Sequence, residues 1–235
     1  MQKQHKFSAK DKMVDLINED YSLLLVISRF GISLGFGDNT VKEVCKANNI
    51  HCETFLAIVN FLSEGDFEVG NVYEDIDPES VIGYLKNAHT YFIDFKLPAI
   101  RSKLLQAVDS PEQIVPYATI LIKFYDEYVS EVGKHMEYEN KVVFPYVIDL
   151  LAGKRNKKYS ISVFEDRHNE IDSKLAELKN ILIKYFPASG NNHLLTEVLF
   201  DILSCEKDLA SHNQVEDYLF VPAIEAIEQK NMEAK

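Results

Sequence analysis

From Asp77 to about residue 230, apolar residues recur every three or four positions, the period of a helix with one buried face. Asp77-Pro78-Glu79 opens this stretch with the chemistry of a helix start: an N-capping carboxylate, a proline in the first position and an acid in the first turn. Ser110-Pro111-Glu112-Gln113 repeats it, Pro187-Ala-Ser-Gly-Asn-Asn192 breaks the pattern again, and a softer interruption lies at Gly153-Lys-Arg-Asn-Lys-Lys158. Four helical segments of roughly 30 to 40 residues with short connections predict an antiparallel four-helix bundle, and almost nothing alternates with the period of a strand. The expected class is all-α.

Ahead of the bundle the pattern is shorter. Ser8-x-x-Asp11 and Thr40-x-x-Glu43 both read as helix starts, and Gly31-Ile-Ser-Leu-Gly-Phe-Gly-Asp-Asn39 reads as a turn between helices. Residues 1–62 are therefore expected to form a small N-terminal helical domain, 63–77 an acidic linker, and 78–235 the bundle.

Composition narrows the function classes. The 235-residue chain is 46% hydrophobic, ordinary for a globular protein. No apolar run approaches the roughly 20 residues needed to cross a bilayer, and Met1–Met13 is charged, unlike a secretory signal. Three scattered cysteines, Cys45, Cys52 and Cys205, fit a reducing compartment rather than a disulfide framework. The expectation is a cytoplasmic protein without a membrane partner. A formal charge of −12 with no basic run argues against nucleic acid.

Four of the seven histidines fall one per predicted helix, on its apolar stripe: His89 beside Ile82, Leu85 and Phe92; His135 after Tyr128 and Val132; His168 among Ile161, Phe164 and Ile171; His212 between Leu209 and Leu219. In His135-x-x-x-Glu139 and His212-x-x-x-Glu216 a carboxylate follows the imidazole by one turn on the same face, with Pro145 and Pro222 six residues further on. The lone histidine precedes its motif by 46 residues in one case and 44 in the other, so the bundle reads as two repeated hairpins. Four interior imidazoles and two interior carboxylates are costly unless they share a cation. Nitrogen and carboxylate oxygen without thiolate suit paired iron or manganese. Glu131 and Asp208, each four residues before a histidine of the motif, are candidates to orient the imidazoles or to remain solvated on the helix flank. Tyr138 and Tyr218 are expected to pack, as are Cys205, seven residues before His212, and the small helical residues Cys45 and Cys52. His5, His51 and His193 fall outside the pattern.

The pattern His89, His135-x3-Glu139, His168, His212-x3-Glu216 resembles the hemerythrin-like cation-binding domain. Phe30-Gly-Ile-Ser-Leu-Gly-Phe-Gly37 with Thr40-x-x-Glu43-x-Cys45 resembles the small domain that precedes it in the iron–sulfur cluster repair di-iron proteins. The resemblance implies two iron ions, oxo- or hydroxo-bridged, with manganese or zinc as substitutes. It implies two histidines on each iron and bridging carboxylates from Glu139 and Glu216. It departs from the family at Gly35-Phe36, where adjacent cysteines are usual, and it has Asp172 where oxygen carriers have a further histidine. The implied role is protection or repair of iron centres under nitrosative or oxidative stress, with nitric oxide or dioxygen as small ligands and damaged iron–sulfur proteins as partners. The alternatives are a sensor or store for oxygen, nitric oxide or iron, and a nitric oxide or peroxide reductase served by an external electron donor. A homodimer through the small N-terminal domain is a further expectation.

Overall fold

The computed structural model describes residues 6–64, 76–108, 115–154, 159–163, 169–185 and 192–233. Most of the expected 63–77 linker, the Ser110–Gln113 helix start, most of the Pro187–Asn192 break, Phe164 and His168 lie outside the described residues.

Four short helices come first: α1 (Met13–Glu19), α2 (Leu23–Arg29), α3 (Val41–Ala47) and α4 (Cys52–Glu64). The capping box at α3 forms as expected. Thr40 Oγ1 accepts the Glu43 N–H at 3.3 Å, and Glu43 Oε2 accepts the Thr40 N–H at 2.8 Å, which satisfies two backbone donors that the helix leaves open. The expected start at Ser8-x-x-Asp11 is corrected. Asp11 Oδ2 accepts the Ser8 N–H at 2.6 Å, but this closes a turn, and α1 begins only at Met13. The reason is a competing pairing: Val41 N–H donates to Asp11 O, Lys42 N–H to Ala9 O and Met13 N–H to Asn39 O, which holds residues 9–13 against the start of α3. The glycine turn is as expected. Gly31 has φ +74° and ends α2, with the Ile32 N–H reaching back to Ile27 O.

Four long helices form the bundle. Helix α5 spans 78–108, α6 115–151, α7 169–185 and α8 192–233. Asp77 caps α5 as its sequence predicts, accepting the Ser80 N–H at 2.9 Å. Helix α6 ends where the softer break was expected, with Gly153 at φ +75° and the Lys154 N–H bonded to Asp149 O. Ile161 departs from expectation. It sits in a single 3₁₀ turn, Ile161–Val163, not on the stripe of α7, whose described residues begin at Asn169.

None of the four long helices is α-helical throughout. Each contains a π-helical stretch: Tyr91–Lys96 in α5, Glu139–Val143 in α6, Ile181–Tyr185 in α7 and Glu216–Phe220 in α8. A proline follows two residues after each, at Pro98, Pro145, Pro187 and Pro222. A proline inside a helix has no N–H for the carbonyl four residues back, and its ring pushes on that carbonyl. For the three prolines that lie among the described residues, those carbonyls belong to Asp94, Lys141 and Tyr218, each inside the π-helical stretch. Widening that turn absorbs the clash, so the helices run through their prolines instead of ending.

The chain divides into two compact units: residues 1–88 with 146–162 and 214–235, and residues 89–145 with 163–213. In the first, Phe30 packs edge-on to Phe55 at 5.2 Å and against Tyr84 at the same distance, and Met13, Leu16, Ile27 and Leu85 are buried. In the second, Leu97, Ile100 and Leu104 of α5, Leu121, Tyr125 and Tyr128 of α6, Leu175 and Leu178 of α7, and Val198, Ile202 and Leu209 of α8 are buried at helical spacing. The buried Tyr125 hydroxyl donates to Leu97 O at 2.8 Å, and burial raises its pKa. No helix among the described residues is long and apolar enough to cross a membrane.

Candidate metal centre

The two histidine–glutamate motifs lie at corresponding places in α6 and α8. In each, one α-helical turn separates histidine from glutamate, and the glutamate is the first residue of a π-helical stretch. π-Helical turns within α-helices are common at functional sites. Here the cause is legible in the proline six residues beyond each glutamate.

His89, Glu139, His212 and Glu216 converge. One ligand atom from each lies within 4.8 Å of all the others, and all four side chains are buried. His135 joins through Glu139: its Nε2 lies 2.8 Å from Glu139 Oε1, while His89 Nε2 lies 3.0 Å from Glu139 Oε2. Each oxygen of one carboxylate therefore faces a different imidazole. Phe144 stacks on His89 at 5.6 Å between ring centres, and Phe92 meets His212 edge-on at 6.0 Å, so apolar rings wall the imidazoles. His89 and His212 themselves approach to 5.1 Å. Of the six residues singled out from sequence, five are thus in contact with or part of one buried cluster, and His168 lies outside the described residues.

The donor set fits a cation. Glu139 is fully buried, yet neither of its oxygens accepts a hydrogen bond, and His89 Nε2 makes none either. A buried carboxylate left this way costs several kcal/mol, and the two imidazole nitrogens stand 2.8 and 3.0 Å from its oxygens without hydrogen-bond geometry. Imidazole nitrogen and carboxylate oxygen, with no thiolate in the cluster, suit iron, manganese or zinc.

One residue of the site carries no signal in the sequence. Asn140 Oδ1 lies 3.2 Å from His89 Nδ1. With a proton on Nδ1, that contact leaves the Nε2 lone pair directed at Glu139, the usual way an outer partner sets the tautomer of a ligating histidine. Asn140 is 51 positions from His89, and only the fold brings them together.

The other candidates are not among the four residues whose ligand atoms converge. Glu131 pairs with Lys134 at 3.1 Å and Lys174 at 3.6 Å, which makes it the solvated alternative of the two considered from sequence. Asp208 is half-buried. Tyr218 is half exposed and packs on Phe61 at 6.0 Å. Cys205 is buried near Tyr125. Cys52, expected to be buried, is only half-buried because it is the first residue of α4.

The family model of the hemerythrin HHE cation binding domain matches residues 80–224, more than half of the chain. No curated protein matches the chain.

Proposed function

The chain belongs to the hemerythrin HHE cation-binding domain family, and from that premise we propose that it is a non-haem di-iron protein acting in the repair or protection of iron–sulfur centres under nitrosative or oxidative stress. The observation that carries the two-metal reading is Glu139. One carboxylate with a different imidazole opposite each oxygen is suited to serve two cations at once. In this reading His89, His135, His168, His212, Glu139 and Glu216 would hold the ions. The six side chains would supply imidazole nitrogen and carboxylate oxygen, a set suited to iron. Iron bound there would supply one-electron chemistry toward nitric oxide, dioxygen or peroxide.

What the protein contributes is burial and alignment. Phe144 and Phe92 pack against the buried imidazoles of His89 and His212 and hold them away from water. Asn140 holds His89 in the tautomer that ligates. The proposed domains, 1–62 and 78–235, give the bundle this chemistry and leave the N-terminal helices to contact a partner or a second copy of the chain.

The test is restoration of a cluster enzyme inactivated by nitric oxide. Iron-loaded protein is expected to return its activity, and the Glu139→Gln variant is not. Retention of iron with reversible nitric oxide binding and no restoration would instead favour a sensor or store. The burial of all four cluster side chains supports that second reading, since it keeps them out of reach of a protein partner.

A further inference from the structure

Among the described residues two asparagines are buried, Asn60 and Asn213. Both ends of the Asn60 carboxamide are paired: Oδ1 accepts the Phe7 N–H at 2.8 Å, and Nδ2 donates to Phe7 O at 3.0 Å. Asn213 differs. It is 8% exposed, and its Oδ1 is buried without accepting a hydrogen bond. A buried amide oxygen in that state is destabilising, and native proteins keep few of them.

The place of Asn213 indicates what the oxygen serves. It follows His212 directly and precedes Glu216 by three, the spacing at which helical side chains are neighbours. All three are buried, where α8 carries the second histidine–glutamate motif. Aligning the two motifs puts Met136, 1% exposed, at the same position in α6. The position is therefore interior in both hairpins. A thioether fills it in one, which shows that packing there needs no strong acceptor, and a carboxamide fills it in the other.

We propose that Asn213 is a specificity-determining residue of the candidate centre, its Oδ1 accepting a hydrogen bond from a small hydroxyl-bearing ligand, hydrogen peroxide. The inference rests on the metal reading given above and names the ligand class of that same site. A carboxamide oxygen offers lone pairs and no proton. Nitric oxide and dioxygen have no proton to give it. Hydrogen peroxide has two, so one hydroxyl can donate to Asn213 while the other oxygen is left for the cluster. A ligand that cannot donate leaves the buried acceptor unpaired, which is how a polar site rejects an analogue lacking the hydroxyl. Asn213 meets the small ligand and not the ions, so the ions are held without it.

The experiment uses the full chain loaded with zinc, which does not reduce peroxide, and follows the Asn213 side-chain amide by nitrogen-15 NMR as hydrogen peroxide is added. The resonance is assigned by its loss in Asn213→Asp, which keeps the shape of the side chain. A saturable shift is expected in the wild type. In ferrous-loaded protein, Asn213→Met is expected to slow oxidation by hydrogen peroxide about fivefold or more while nitric oxide binding stays within about twofold, the size of one lost hydrogen bond. Absence of a saturable shift, the result if only water meets the carboxamide, would overturn the proposal. So would equal losses toward peroxide and nitric oxide in Asn213→Met. Metal content of the same samples assigns a failure: a wild type that binds zinc and shows no shift removes this proposal alone, and one that binds no zinc and shows no shift removes the metal reading with it.

Discussion

Helix α6 carries two glutamates at the same distance from His135: Glu131 one turn before it and Glu139 one turn after. Their chemistry and local spacing are identical, and their surroundings are not. The Glu131 side chain is 32% exposed and meets two lysines; that of Glu139 is 0% exposed and meets two imidazoles. A carboxylate near water is held by screened ion pairs that contribute little. One stripped of water needs a full positive charge or a metal close by. The comparison shows that a histidine–glutamate spacing names a site only when the second residue lies on the buried face.

The largest expected effect follows from that difference. Glu139→Gln should abolish metal binding, while Glu131→Gln should leave metal content unchanged, both read by elemental analysis of purified protein. Equal losses would remove the distinction. Metal removal comes next. A chelator should lower the thermal midpoint of the wild type and do nothing to Glu139→Gln, since a ligand at a hundred times its Kd contributes about 2.7 kcal/mol to the folded state; calorimetry with and without chelator measures it. Asn140→Ala is expected to weaken metal affinity by about 10- to 100-fold, as loss of an outer partner of a ligating histidine usually does; competition with a chromogenic chelator reads the change.

The smallest effect belongs to Glu131. Its hydrogen bond and attraction to Lys134, with help from Lys174, hold its carboxyl below the ordinary value of 4.5. A depressed carboxyl stabilises the fold above the ordinary value and ceases to as pH falls through the lowered one. Thermal midpoints of metal-free wild type and Glu131→Gln should therefore differ slightly at neutral pH and converge in acid or in high salt.

Much of the bundle was legible because its signals are local. Asp77 and Thr40 each cap the helix they precede, and the apolar period places His89, His135 and His212 inward. What could not be read depends on contacts across the chain. Asn140 looks like any polar residue beside a glutamate, and its role comes from His89 on another helix. The Ser8–Asp11 turn has the residues of a helix cap, but pairing of residues 9–13 with the start of α3 delays the helix. The π-helical stretches fall between these cases. Their prolines are plain in the sequence, but whether a proline ends a helix or widens it is decided by the packing on either side.

The most direct test is metal content per chain by native mass spectrometry, on wild type and Glu139→Gln expressed and loaded alike with ferrous iron. Two irons are expected on the wild type and none on the variant. A single ion in the wild type, or two ions retained after Glu139 has lost its charge, would contradict it.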